Sequence, residues 1–158
     1  MMAKNYRHIL VPLDGSKLAE LALADACQLA ELNQAKITLL HVASPIEEVI
    51  GAGTDHPIFI DQQWETERVK TLKYLSGLIT KLPRAIEVHP EVEMGAAAET
   101  ILDYANRHNV DLIVMATHGR TGLQRLIYGS VAEAVLHETH VPILMVRAHS
   151  HPVPSVAV

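Results

Sequence analysis

The sequence predicts an α/β domain: a single, three-layer, open parallel sheet of five strands in the Rossmann-like order 3-2-1-4-5. Three observations predict it. Short apolar runs alternate five times with segments of helical period. The clearest runs, such as Ile37-Thr38-Leu39-Leu40, are continuous and do not alternate with polar residues, as expected of strands covered on both faces. A glycine-containing loop follows the fourth run, Leu112-Ile113-Val114-Met115, and precedes a helical pattern. Strands joined through helices imply right-handed crossovers. In the order 3-2-1-4-5 the winding reverses between strands 1 and 4, so a ligand crevice is expected at their C-terminal ends.

Taken in order, His8-Ile9-Leu10-Val11-Pro12-Leu13 reads as a buried strand, and Asp14-Gly15-Ser16 as the turn and cap that open a helix near 16–33. That helix carries Leu18, Leu21, Ala22, Ala26, Leu29 and Ala30 at helical spacing. Lys36 to Val42 is the second strand. Residues 43–60, with Pro45, Gly51, Gly53 and Pro57, read as the long loop of the domain. A helix follows from Asp61 to Lys81, then a strand around Ala85–Glu93 that Pro90 pushes toward a sheet edge. Gly95 precedes a helix striped by Ala98, Ile101, Leu102 and Ala105 and ending near Asn109. The fourth strand spans 111–116. Ser130-Val131-Ala132-Glu133 fits the S-x-x-E capping box, which starts the last helix at Ser130 and carries it to about Glu138. Pro142-Ile143-Leu144-Met145-Val146 is the fifth strand, and 148–158, with Pro152 and Pro154, reads as a loose tail beyond a domain of residues 1–147.

Composition narrows the function classes. A chain of 158 residues, 49% hydrophobic, suits one domain with a real core. A formal charge of -5 and no Lys/Arg cluster give no footprint for nucleic acid. No stretch of 18 apolar residues suggests a membrane span, and the start lacks a long apolar leader, so a soluble, unexported protein is expected. Cys27, the only cysteine, falls in an apolar helical pattern and reads as a small core residue. Met115 and Met145 read as core filler, and His149 and His151 as solvated tail residues.

The loop at 116–130 carries the chemistry. Gly119, Gly122 and Gly129 let backbone N–H groups approach a ligand, and the following helix offers its unpaired amides and positive dipole end to an anion. The loop lacks both the Gly-Lys-Ser/Thr ending of a Walker loop and G-x-G-x-x-G. Asp14 either accepts a hydrogen bond from a ligand or simply holds its turn. Ser130 either caps its helix or serves a phosphate, and Glu133 opposes an anion there unless it points away. His118 reads as a loop-orienting residue or a general base. No nucleophile elbow or orienting acid supports a triad, so no catalytic residue is assigned. Arg120, and less clearly Arg125, are candidate phosphate partners.

The stretch resembles the universal stress protein family, whose ATP-binding members carry G-x2-G-x9-G-[S/T]; Ala116, Gly119, Gly129 and Ser130 occupy those places. The resemblance extends over residues 6–147. It takes in Ile9-Leu10-Val11-Pro12-Leu13-Asp14-Gly15-Ser16, Leu40-His41-Val42, Met94-Gly95-Ala96 and Val141 to Arg147. It implies an adenine-nucleotide-binding domain, cytoplasmic and homodimeric, serving stress tolerance or regulation. Carried over by position, Pro12, Leu13 and Asp14 lie beside the adenosine and Val42 offers backbone groups to the adenine edge. Met94 and Gly95 flank the ribose; Gly119, Arg120, Gly129, Ser130 and Val131 hold the phosphates. Mg2+ or Mn2+ arrives bound to phosphate oxygens, since no carboxylate cluster resembles a metal cage. Ala116 departs from the family glycine. Its methyl is tolerated in an extended strand, costs about 1–2 kcal/mol if φ must be positive, or crowds the ligand.

The leading expectation is therefore a regulatory module that binds ATP with a divalent ion and pairs through its C-terminal edge strand, with an unknown protein partner left open. Its rivals are a slow ATPase or phosphotransferase, and an interaction scaffold of the same fold that binds no nucleotide.

Overall fold

The computed structural model describes residues 4–45, 57–117 and 129–148. The elements are β1 (His8–Pro12), α1 (Lys17–Glu20), α2 (Ala22–Asn33), β2 (Lys36–Ala43), α3 (Pro57–Ile79), β3 (Val88–Met94), α4 (Ala97–Arg107), β4 (Leu112–Thr117), α5 (Ser130–Glu138) and β5 (Ile143–Arg147). All neighbouring strands run parallel, in the order β3-β2-β1-β4-β5. Most of the expected long loop, the glycine loop from His118 through Arg125, and the tail from His149 lie outside the described residues.

The sheet is covered on both faces because its strands alternate between two apolar layers. Ile9, Val11, Ile37, Leu39, Leu112 and Val114 pack with α2 and α3 residues such as Ala26, Leu75 and Leu78. Leu10, Leu40, Ile113 and Met115 turn the other way, onto Ile101 and Tyr104 of α4 and Ala132 and Val135 of α5. Two-sided burial explains why the strands read as unbroken apolar runs.

Pairing is unequal on the two sides of β1. Five residue pairs join β1 to β2, from His8↔Lys36 to Pro12↔Leu40. Only Ile9↔Leu112 and Leu10↔Ile113 join β1 to β4. Leu13 N–H donates to Leu40 O at 2.8 Å on the β2 side, so by strand alternation Pro12 faces β4. Proline has no N–H to give. The β1–β4 ladder stops there and the two strands part.

Four expectations needed adjustment. Helix α3 begins at Pro57, inside the segment expected as loop and four residues before Asp61, and ends at Ile79; proline's fixed φ suits a first helical position. The helix expected over 16–33 is two pieces, because the Leu21 N–H reaches Leu18 O at 3.0 Å and tightens the turn between α1 and α2. Helix α4 stops at Arg107, and Asn109 takes a left-handed conformation at φ 50, which ends the helix and aims the chain into β4. Strand β3 starts at Val88, later than Ala85; Pro90 does lie on the sheet edge.

At the end of the sheet remote from the crevice, Asp111 Oδ2 accepts from the Arg7 and His8 amides at 2.8 and 2.9 Å. The His8 ring is buried, its Nδ1 3.1 Å from His108 O and its Nε2 2.8 Å from Thr38 Oγ1. A neutral imidazole satisfies both, donating to the carbonyl and accepting from the hydroxyl. Burial lowers the His8 pKa below its ordinary 6.5; the His108 carbonyl and Asp111 oppose this less strongly, and Lys36 adds to it. Between that depressed folded value and 6.5, the unfolded chain binds a proton that the folded chain refuses, so the His8 contribution is full above pH 6.5 and is lost as pH falls through the window. Thermal melts should show Tm declining below pH 6.5, and a shallower decline in His8→Gln. Parallel pH profiles for the two proteins would remove His8 as the cause.

Candidate functional site

Where β1 and β4 part, the chain encloses a cleft of about 310 Å3, at the lower end of the size range of small-molecule sites. Pro12, Leu13 and Asp14 form its β1 side, Val42 comes from β2, Ala116 from β4, and Gly129, Ser130 and Val131 from the start of α5. Eight residues expected from the sequence are thus brought together. Met94 and Gly95 are not among the lining residues; they sit at the end of the edge strand, where the Gly95 amide donates to Ala43 O at 3.0 Å. A Cβ at Gly95 would run into Thr100 Oγ1, which would have to move to admit one. His118, Gly119, Arg120 and Gly122 lie outside the described residues.

The β1 wall is built by local hydrogen bonds. Gly15 turns the chain at φ 86, a conformation that favours glycine. Asp14 Oδ1 accepts from the Ser16 amide at 2.9 Å, and Ser16 Oγ accepts from the Ala19 amide at 3.1 Å, which caps α1. Burial pushes the Asp14 carboxyl up, but the Ser16 hydrogen bonds, its own amide and the nearby His41 together outweigh this and hold it below its usual value. Asp14 therefore fills the turn role and faces the cleft as well. On the outer side of α1, Glu20 accepts from Tyr74 Oη of α3 at 2.8 Å and pairs with Lys17 at 3.0 Å. Burial, then the bond to Glu20, raise the Tyr74 pKa to about 12.

The opposite wall corrects one expectation. Gly129, not Ser130, is the N-cap of α5: it is extended at φ -57, ψ 154, and its carbonyl accepts from the Glu133 amide at 2.9 Å. Ser130 is already helical and no side chain among the described residues caps the helix, so the capping box does not form. The reason is that Gly129 itself takes the extended capping conformation, one position earlier than the S-x-x-E pattern places it. Glu133 is exposed and lies 3.9 Å from His137, so its carboxylate is not in the cleft. A Cβ on Gly129 would meet nothing within 4 Å, so packing does not demand glycine there. Ala116 is part of β4, paired with Val146, and is not among the positive-φ residues. Of the readings offered for its methyl, the strained backbone is ruled out.

Sequence reasoning missed much of the lining. Leu18 and Ala19 of α1, Leu40, Met115, and Ala97 and Ile101 of α4 contribute apolar surface, and Thr117 ends β4 inside the cleft. An apolar residue facing a cleft carries no sequence mark to separate it from core. Thr117, polar at the end of an apolar run, was the one available signal. Among the described residues no group of three or more His, Cys, Asp or Glu could hold a metal ion.

A doubly wound parallel sheet with an open crevice at its winding reversal defines an α/β ligand-binding domain. This chain belongs to the universal stress protein family, whose profile matches residues 5–147. It is similar to Universal stress protein MJ0531 of Methanocaldococcus jannaschii, 31% identical over 144 residues that cover 90% of this chain and 82% of the relative. It is also 31% identical over 147 residues to Universal stress protein A homolog 1 of Coxiella burnetii, covering 90% and 96% of the two chains. Among solved structures it resembles protein MJ0577 of M. jannaschii, with a TM-score of 0.73 at 26% identity over 92% of this chain and 99% of that one. A universal stress protein of Archaeoglobus fulgidus in complex with dAMP superimposes with a TM-score of 0.59 at 22% identity, over 90% and 98%, a likeness of fold alone.

The two serines at the cleft should behave differently. Ser16→Ala removes a cap hydrogen bond and should cost about 1 kcal/mol in urea unfolding. Ser130→Ala removes none and should cost less than about 0.5 kcal/mol.

Proposed function

We propose that the cleft binds an adenine nucleotide, ATP in the first instance, and that the protein is a cytoplasmic stress-response module regulated by that occupancy. The observation that carries the reading is the cleft itself, which opens onto the start of α5. There Ser130, Val131 and Ala132 present first-turn amides that no side chain among the described residues caps, beside a glycine whose Cβ would meet none of the described atoms within 4 Å. A helix N-terminus of this kind favours phosphate. Glu133, the one acidic group of that turn, points to His137 and leaves the phosphate side free of its charge.

The remaining lining suits a nucleoside. Leu40, Ile101 and Met115 offer apolar surface to a base, with Pro12, Leu13, Asp14 and the backbone of Val42 beside it. The resemblance assigns Gly119 and Arg120 to the phosphates; Gly122, as a glycine of the same loop, and His118, as a residue that would orient it, are assigned from the sequence alone. The Ala116 methyl stands beside the ligand. Mg2+ or Mn2+ would be held by phosphate oxygens, which this carboxylate-poor lining suits, since Asp14 is the only acid among the described lining residues and is already engaged by Ser16. No residue of the described lining is placed to activate water, so binding and not turnover is the proposed activity.

The proposed partner surface is β5. It is an edge strand of half-buried Ile143, Leu144, Met145 and Val146 with no proline or charge among them, whereas the other edge, β3, is blunted by Pro90 and exposed Glu91. An unblunted apolar edge favours strand pairing, here with a second copy.

Equilibrium binding of labelled ATP should be saturable and weakened at least about tenfold by Gly129→Val, which fills the open space by the first-turn amides; as valine is a poorer N-cap than glycine, a stability loss of about 1 kcal/mol is also expected, too small to unfold the protein. No saturable binding by the unmodified protein would leave only the scaffold reading. Sedimentation equilibrium should return twice the 17.3 kDa chain mass at micromolar concentration; a monomer would contradict pairing through β5.

A further inference from the structure

Where the β1–β2 ladder ends, a side chain replaces a backbone donor. A regular parallel ladder carried one step past Pro12↔Leu40 would pair Leu13 with His41. Leu13 N–H would donate to Leu40 O, and Leu13 O would accept from Val42 N–H. The first bond is present at 2.8 Å. The second is not part of the register, and the Leu13 carbonyl instead lies 2.8 Å from His41 Nδ1, within the same strand β2. A carbonyl only accepts, so Nδ1 is the protonated nitrogen.

We infer that His41 is a positioning residue for the cleft: by occupying the Leu13 carbonyl it releases the Val42 amide from the sheet and makes it a donor for the base of the bound nucleotide. Val42 lines the cleft, so the released amide belongs to a residue already at the site. The same bond orients the next peptide. All peptides described are trans, so a Leu13 carbonyl held toward β2 turns the Asp14 N–H to the opposite side, where β4 and the cleft lie. One imidazole thus frees the Val42 amide and fixes the direction of the Asp14 amide, which the Asp14 carboxylate itself engages. The nucleotide half of this inference rests on the function proposed above; the release of the Val42 amide does not.

The experiment separates the two. Amide hydrogen exchange by NMR on the protein without nucleotide should show Val42 exchanging faster than Leu13, whose amide remains in the ladder. In His41→Leu the Leu13 carbonyl is vacated, the Val42 amide re-enters the ladder, and its exchange should slow at least about tenfold. ATP affinity should fall about tenfold, the worth of one buried hydrogen bond, while inhibition by inorganic tripolyphosphate, which lacks a base, stays unchanged. His41→Asn, whose amide nitrogen sits where Nδ1 does, should restore both the exchange rate and the affinity. If His41→Leu does not fold, His41→Gln, which carries its donor too far out, replaces it. Unchanged Val42 exchange in the variant overturns the inference, as does an equal loss of ATP and tripolyphosphate binding. A protein that binds no ATP but shows the exchange change refutes the proposed function and leaves the release of the Val42 amide standing.

Discussion

The structure turns on a pairing that is cut short. In the middle of a parallel sheet buried on both faces, β1 is held to β2 along its whole length but to β4 by only two residue pairs. An interior parting of this kind would normally leave buried backbone groups unpaired, at a cost of about 1–3 kcal/mol each. Here it falls at the C-terminal rim, where Pro12 has no N–H to orphan and the carbonyl of Leu13 is met by His41. The crevice is therefore a planned end to the ladder, and its residues can face a ligand without loss to the sheet.

The rim is stiffened by short-range polar bonds that the core does not need. Asp14, Ser16 and Ala19 form one chain of contacts, and Glu20 and Tyr74 fasten the outer side of α1 to α3. Asp14 and Ser16 put side-chain acceptors on backbone amides that lack a ladder or helix partner, whereas Glu20 and Tyr74 join side chain to side chain. At the opposite end of the sheet, His8, Thr38, His108 and Asp111 do similar work in a more deeply buried setting. The contrast follows from topology: the remote end closes over the core, whereas the rim at the winding reversal must stay open.

Legibility followed the length scale of the signal. The five strands, their order and both edges were readable because continuous apolar runs, helical stripes and Pro90 each have one economical arrangement. Boundaries slipped by a few residues where a local bond or a single backbone angle decided them, as at Leu21 and Arg107. The capping box at Ser130 misled because S-x-x-E states which residues are suited to cap, not which one takes the extended conformation, and Gly129 took it first. Met94 and Gly95 were assigned to the ribose by the resemblance; they end an edge strand and are not among the residues that line the cleft.

The sequence by itself determined the architecture and half of the cleft. Residue period dictates element type, strands buried on both faces demand parallel order, and proline and glycine mark the points where the chain leaves regular pairing. Only the tertiary structure decided that Glu133 turns away from the cleft, that Ala116 is unstrained, and that His41 takes the carbonyl a backbone amide would otherwise claim. Those outcomes depend on direction and distance between residues far apart in the chain, or on which of several adjacent donors arrives first, and neither is written in the order of the residues.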